Sequence, residues 1–404
     1  MNIPISRATS RHTLRQAGEA LVRLPEPDEK ARAHSMALIR LIVDEIAGAG
    51  GQISFARYMA LALFAPGLGY YSAGSQKFGA SGDFVTAPEI SPLFSRCLAR
   101  QTTEVLENLG GGDVLEVGGG SGIMAADLLA ELALLGRLPE RYFLLELSAD
   151  LRQRQHETLA QKVPHLLARV QWLDSLPDGG FRGVVLANEL LDALPVHLFQ
   201  VEADGFTERC VTWRDGRFQW CSAGIGDVAL AQGLAMRGEG LPEGYVSELN
   251  LAAGGWIGSV ATLLQAGVVL LIDYGFPRHE YYHPQRDRGT LMCHYRHRVH
   301  DDPFVYPGLQ DITAHVDFTA IAECAVDSGL DVLGYNTQGL FLLANGITEL
   351  AQSDDEREQL RLAQQVRTLT LPGDMGELFK VMALGRNYDV PLRGFMLQDL
   401  RGKL

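Results

Sequence analysis

Glycines stand at 118, 120 and 122, at the end of the run Asp113-Val-Leu-Glu-Val-Gly-Gly-Gly-Ser-Gly122, and an apolar helical pattern follows from Ile123 to Leu135. A strand that turns this tightly into a helix needs backbone angles that a Cβ forbids, and the bare backbone lets a ligand approach closely. The spacing reads E-x-G-x-G-x-G. The dinucleotide fingerprint G-x-G-x-x-G would put its third glycine where Ile123 stands. The next buried strand, Tyr142-Phe-Leu-Leu-Glu-Leu147, carries Glu146 near its carboxyl end. Ligands of open parallel sheets sit at that end, where a carboxylate can accept hydrogen bonds from both hydroxyls of a ribose. An acid inside an otherwise apolar strand is costly without a partner, which favours a ligand over a solvated strand end. The chemistry on offer is the binding of a nucleoside.

The elements that must hold these residues are legible from periodicity. Strands are predicted at 113–117, 142–147, 169–173 and 183–187, separated by helical patterns at 123–135 and 149–161. Strands alternating with helices imply an α/β fold with a parallel, doubly wound sheet and right-handed crossovers. Upstream, Leu24-Pro-Glu-Pro-Asp28 separates an arm (1–32, read as mobile) from a helical extension over 33–110 that contributes to the cofactor site. That extension holds a helix at 33–49, a second opened by Ser54 as N-cap, a loop rich in Gly, Ser and Tyr from Pro66 to Pro88, and a helix from Ser91 to Asn108. The core is assigned to 111–198 and 266–404. Between them, 199–265 reads as an inserted β-rich segment with a helix, because Phe199 to Ser222 alternates around Asp204-Gly205 and Asp215-Gly216, a strong hairpin signal. A strand at 267–275, a long loop from Phe276 to Gly308, a helix at 317–328, a strand near 331–335, a helix near 347–366 and a strand at 379–384 complete the chain.

Composition narrows the function classes. The 404 residues are 47% hydrophobic and 21% charged, with a formal net charge of −14. That profile supports a large core, and the acidity argues against a general binder of nucleic acid. It is compatible with a cationic substrate, and solubility alone would also explain it. Five scattered cysteines with no C-x-x-C read as reduced thiols. The longest apolar runs are strand-length, so no membrane span is expected. Arginines at 7, 11, 15 and 23 resemble a mitochondrial transit peptide, but Glu19, Glu26, Asp28 and Glu29 soon follow. A cytoplasmic location is expected, with the mitochondrial matrix as the alternative. His294, His297 and His300 fit no zinc signature, so no metal is expected.

The glycine spacing resembles motif I of class I S-adenosylmethionine (SAM) methyltransferases. Several blocks in order are similar to those of the MidA-like family: Gly82-Asp-Phe-Val-Thr-Ala-Pro-Glu-Ile-Ser91, the glycine turn, Ala187-Asn-Glu-Leu-Leu-Asp-Ala-Leu-Pro195, Ile272-Asp-Tyr-Gly275, Pro307-Gly-Leu-Gln-Asp-Ile-Thr-Ala-His-Val-Asp-Phe318 and Met375-Gly-Glu-Leu-Phe-Lys380. Two departures are Gly119, where the family usually has proline, and Met292-Cys-His in place of an Arg-Gly-Phe-like stretch. The resemblance implies a class I Rossmann-like methyltransferase fold, SAM as cofactor, and transfer to a protein arginine, the family including a mitochondrial factor that methylates an arginine of a respiratory complex I subunit. A small-molecule acceptor, or an assembly role without transfer, are the competing readings. An arginine-bearing protein is the implied partner, with no nucleic acid or membrane, and a homodimer is compatible. By the same resemblance, Gly118, Gly120, Gly122 and Glu146 bind the cofactor, with Asp83 and Thr86 closing over it and Asp174 near the adenine. Glu189 is the first candidate catalytic residue, then Asp192 and Asn188, because a carboxylate can grip a planar guanidinium bidentately. His297 and Asp311 are placed in the substrate channel.

Overall fold

The computed structural model describes residues 24–72, 86–237 and 240–404. The first four residues of the block Gly82–Ser91, Asp83 among them, lie outside the described residues, as does the arm up to residue 23. The first helix, Glu29–Gly48, begins four residues earlier than its apolar pattern, because Asp28 accepts a hydrogen bond from the Ala31 amide at 2.8 Å and caps it. Ser54 caps helix Phe55–Phe64, and Ser91 caps helix Pro92–Leu109.

The strands in chain order are β1 (Gln52–Ser54), β2 (Asp113–Val117), β3 (Tyr142–Leu145), β4 (Val170–Leu173), β5 (Phe181–Asn188), β6 (His197–Glu202), β7 (Gly205–Arg214), β8 (Arg217–Gly224), β9 (Val246–Leu249), β10 (Leu264–Phe276), β11 (Met292–Tyr295), β12 (Arg298–His300), β13 (Asp311–Thr313), β14 (Val316–Asp317), β15 (Asp331–Thr337) and β16 (Phe379–Arg386). The main sheet runs β4-β3-β2-β5-β10-β16-β15, with the short β14 beside β10. Strands β2 to β5 and β10 are mutually parallel, and β16 runs antiparallel to both β10 and β15. This is the doubly wound α/β sheet that the class I resemblance implied. Strand order reverses between β2 and β5, so their carboxyl ends form the switch point at which such sheets bind ligands.

Alternation explains the two cores. Val184 and Leu186 turn to one face, under helices Pro92–Leu109 and Ile123–Leu134, while Val185 and Ala187 turn to the other, under Leu251–Leu263 and Phe318–Asp327. A second, antiparallel sheet runs β1-β7-β6-β9, with β8 on β7, and carries helices Glu29–Gly48 and Phe55–Phe64 on its own apolar core. Residues 33–110 are therefore not one unit. Their first part joins the 199–265 insertion through β1, whose Gln52–Ser54 pair with 210–212, and their last helix packs on the main sheet.

Three expectations change. The first hairpin of the insertion turns one residue early, on Ala203-Asp204, since Glu202 pairs with Gly205, whereas Asp215 and Gly216 both take the positive φ a type I′ turn needs. The 276–308 segment is built rather than open. It holds helix Arg278–Tyr281 and strands β11 and β12, which form a small sheet with β13, and is pinned by the buried Glu248 carboxylate, which accepts from the Thr290 and Leu291 amides at 2.8 and 2.9 Å. Strands of three or four residues are too short to show a period. The helix expected at 347–366 is broken into Ile347–Leu350 and Glu356–Thr370, and Gln338–Ala344 precedes them. The break comes where Asp355 caps a new helix, accepting from the Arg357 and Glu358 amides.

Candidate active site

The cofactor half is built where β2 meets helix Ile123–Leu134. Gly118, Gly120 and Gly122 have φ of 72°, 51° and 80°, angles that L side chains adopt only under strain. Glu146, just past β3, is half-buried, and its two oxygens are held from within the chain. The Ser148 amide donates to Oε1 at 2.9 Å, and the Gln155 amide nitrogen donates to Oε2 at 3.2 Å. Burial holds its pKa above the ordinary carboxylate range, against the pull of those donors. The exposed side chain of Leu147 follows it, 78% accessible. Glu89 meets the Ser121 hydroxyl and ties helix Ala87–Ile90 to the glycine turn. Thr86 is the N-cap residue of that helix, but its hydroxyl makes no cap bond. Asp174 is exposed at the end of β4 and pairs with Arg152 at 2.6 Å.

Below the turn lies a fully buried acid, Glu116, which accepts from the Tyr142 hydroxyl and leaves its other oxygen without a partner. Burial pushes its pKa up to about 7 from an ordinary 4.5. The unfolded chain ionises this group first, so a stability penalty grows from about pH 4.5 and is complete above about pH 7, reaching on the order of 3 kcal/mol. Glu116→Gln is accordingly expected to match wild type in denaturant unfolding near pH 4 and to exceed its stability at pH 8. Equal stabilities at pH 8 would show that the folded protein carries no such penalty.

A second cluster stands at the carboxyl end of β5. Glu189 takes φ 50°, unusual for a residue with a Cβ, and its amide donates to the Ile272 carbonyl at 2.9 Å. Strained backbone of this kind clusters at functional sites. The Asn188 carboxamide donates to Glu189 Oε1 at 3.2 Å. Asp192 is 4% exposed, and its Oδ1 has no partner, nor has the Asn188 Oδ1. Asp273, also buried, accepts from the amides of Leu191, Asp192 and Tyr274 at 2.9, 3.2 and 2.9 Å, and so fixes the path of the turn. Asp311 accepts from the Tyr71 hydroxyl through both carboxylate oxygens, at 2.9 and 3.0 Å. The ring of His315 meets Tyr274 edge to face at 5.2 Å.

Four carboxyl groups thus converge, and, after burial, their neighbours raise two of them, Glu189 and Asp273. Burial, then Asp192 and Asp311, raise the pKa of Glu189 well above the carboxylate range. Burial carries Asp192 up to about 6, tempered by nearby backbone amides. Asp273 is driven well up by burial and by its neighbours Asp192 and Glu189. Buried acceptors without donors, amid surplus carboxylates, suit a cation rich in N–H groups.

Of the residues singled out from sequence, Gly118, Gly120, Gly122 and Glu146 come together at the end of β2 and β3, and Asn188, Glu189, Asp192 and Asp311 come together beside β5. His297 does not join them. It is exposed at the tip of the β11–β12 hairpin, with φ 60°, three residues and about 10 Å along the strand from His294, which is the residue paired with Asp311. Tyr71, Gln155, Asp273 and Tyr274 were missed. The Asp273-Tyr274 pair lay inside a block already noted for its resemblance, and Tyr71 in the tyrosine-rich loop, but neither carried a spacing signal.

Similarity to known proteins identifies the family. Residues 97–336 match the model of an S-adenosyl-L-methionine-dependent methyltransferase family. A curated relative from Danio rerio, the mitochondrial protein arginine methyltransferase NDUFAF7, is 30% identical over 83% of this chain and 84% of its own length. The Caenorhabditis elegans homologue of the same name is 28% identical over 92% and 91%. A solved superfamily member from Burkholderia thailandensis, bound to S-adenosyl-homocysteine, is 49% identical, with a TM-score of 0.91 over 94% of this chain and all of that one. The curated relatives are named as mitochondrial proteins, which gives the cytoplasmic expectation no support. Among the described residues no helix is long and apolar enough to cross a membrane. With the glycine turn, the switch-point site and near full-length agreement in hand, the chain belongs to the S-adenosyl-L-methionine-dependent methyltransferases, in their MidA-like family.

Proposed function

We propose that this methyltransferase acts on an arginine of a protein substrate. The observation that carries the reading is the group of four carboxyls at the end of β5, with unpartnered oxygens on Asp192 and Asn188. The names of the curated relatives support it. SAM supplies a methyl group on a sulfonium centre, given up by in-line displacement, so the protein's task is placement. The backbone of Gly118, Gly120 and Gly122, with the N-terminus of helix Ile123–Leu134, takes the amino-acid end. Glu146 takes the ribose hydroxyls, and Leu147 offers an apolar surface to the base. Asp174 serves the adenine amino group, and Thr86 closes over the site.

Glu189 and Asp192 grip the guanidinium, with Asn188 orienting Glu189. The paired carboxylates localise its charge on the gripped nitrogens and leave the third nitrogen's electron pair facing the methyl group. A methylated guanidinium must shed one proton, and a carboxylate of raised pKa in the cluster receives it. The compartment consistent with the reduced cysteines is the cytoplasm or the mitochondrial matrix.

Incubating cell extract with isotopically labelled SAM, followed by mass spectrometry, tests the acceptor. Label on an arginine with wild type and not with Glu189→Ala is expected; label on a small molecule, or on another side chain, would refute the arginine assignment. The rate should also fall with acidity. Burial raises Glu189 well above the carboxylate range and carries Asp192 to about 6, so kcat/KM for a peptide acceptor is expected to be falling already on the acid side of neutrality and to drop at least about tenfold per pH unit below about pH 6. A profile flat from pH 7 to pH 5 would remove Asp192 from the grip.

A further inference from the structure

Helix Ala149–Lys162 turns three polar side chains, one helical turn apart, toward the cofactor half of the site. Arg152 donates to the Glu146 and Leu173 carbonyls at 2.5 and 2.6 Å. Thr158 donates to the Ser121 carbonyl at 2.8 Å. Gln155 stands between them, 0% exposed. Its Nε2 donates to the Gly120 carbonyl at 3.1 Å and to Glu146 Oε2 at 3.2 Å, and its Oε1 accepts from the Trp172 indole at 2.9 Å. An indole N–H can only donate, so Oε1 must face Trp172, and both amide hydrogens fall to the two acceptors. No donor remains for a ligand.

We infer that Gln155 is a positioning residue for the cofactor, locking the Glu146 carboxylate to the glycine turn so that the two ends of one nucleoside ligand are gripped in register. The inference rests on Glu146 holding the ribose hydroxyls. Without the Gln155 amide, Glu146 Oε2 and the Gly120 carbonyl lose their shared donor, and the carboxylate, still held by the Ser148 amide on Oε1, can swing about that bond. The cost falls on ligand affinity, because the geometry that Gln155 fixes is needed only when both ends are bound at once.

The test is calorimetric titration of the full chain with S-adenosyl-homocysteine. Gln155→Leu is expected to weaken binding about 10- to 100-fold in the wild-type background and less than about 3-fold in Glu146→Ala, since coupled residues are non-additive. A general packing role would give the same loss in both backgrounds and would overturn the inference, as would unchanged binding by Gln155→Leu. Gln155→Glu gives a second readout. Two carboxylates then face each other, and affinity is expected to be poor at pH 8 and to recover at least tenfold by pH 6, where a shared proton restores the donor. Loss independent of pH would count against it. Should Gln155→Leu not fold, Trp172→Phe removes the group that sets the amide and is expected to weaken binding about threefold to tenfold, again only while Glu146 is present. Wild type that binds no S-adenosyl-homocysteine would instead sink the cofactor reading itself, and unaltered binding by Glu146→Ala would sink the ribose assignment together with this inference.

Discussion

Glu189→Gln is expected to slow methyl transfer about 1,000-fold while S-adenosyl-homocysteine binds within about threefold of wild type. The two side chains have the same shape, so the turn and its hydrogen bond to Ile272 survive. What disappears is the negative charge that Glu189 takes on when a guanidinium cation pairs with it. An amide cannot form the two parallel charge-assisted bonds that orient a guanidinium, nor accept the proton that the product must release. The cofactor half is untouched, because Glu146 and the glycine turn are held by other residues. Rate and affinity must therefore separate. A glutamine variant that methylates at near the wild-type rate would eliminate Glu189 as the catalytic carboxylate. Its backbone offers a companion measurement. At φ 50° a residue with a Cβ carries roughly 1–2 kcal/mol of strain, so Glu189→Gly is expected to be inactive yet more stable than wild type. A trade of stability for activity at that position identifies strain kept for function.

Gly122→Ala should destabilise the fold by about 3 kcal/mol and abolish measurable binding of S-adenosyl-homocysteine, whereas Gly136→Ala costs about 1 kcal/mol and leaves binding intact. Both glycines have positive φ, 80° and 68°. They differ in what a methyl group would meet. At Gly136 nothing lies within 4 Å, and at Gly122 the Gln155 Cα would stand 2.9 Å away. The neighbour is backbone, so helix Ala149–Lys162 must shift, taking with it the Gln155 bonds to Gly120 and Glu146. The pair of variants separates conformational strain from close approach. Equal losses in thermal unfolding would show that helix and turn are not in contact there.

Much of this protein is written in short-range physics. The alternation of apolar strands with helical patterns set the parallel sheet, because periodicity reports which face is buried. The glycines at 118, 120 and 122 announced a ligand-binding turn, since their backbone angles exclude side chains. Ser54 and Ser91 marked helix starts, and Asp215-Gly216 a hairpin, because each satisfies a local demand for a cap or a positive φ.

The acidic pocket was a matter of tertiary structure. Asp311 meets Tyr71 across 240 positions, and Asp273 reaches the Asp192 amide across 81, distances at which no spacing rule operates. A buried carboxylate is tolerable only where donors converge on it, and that convergence exists only in the assembled fold. The same holds for Glu248, which turns an apparently open loop into a small sheet. Strand register decided between His297 and His294 as neighbour of Asp311. A ladder brings residues together by pairing, and a shift of a few positions along a strand moves a side chain from pocket to solvent. The amino-acid order thus determined which elements form and where the glycine turn meets the sheet, while the packing of distant segments decided which carboxylates stand together, because their mutual repulsion and desolvation are offset only by neighbours from elsewhere in the chain.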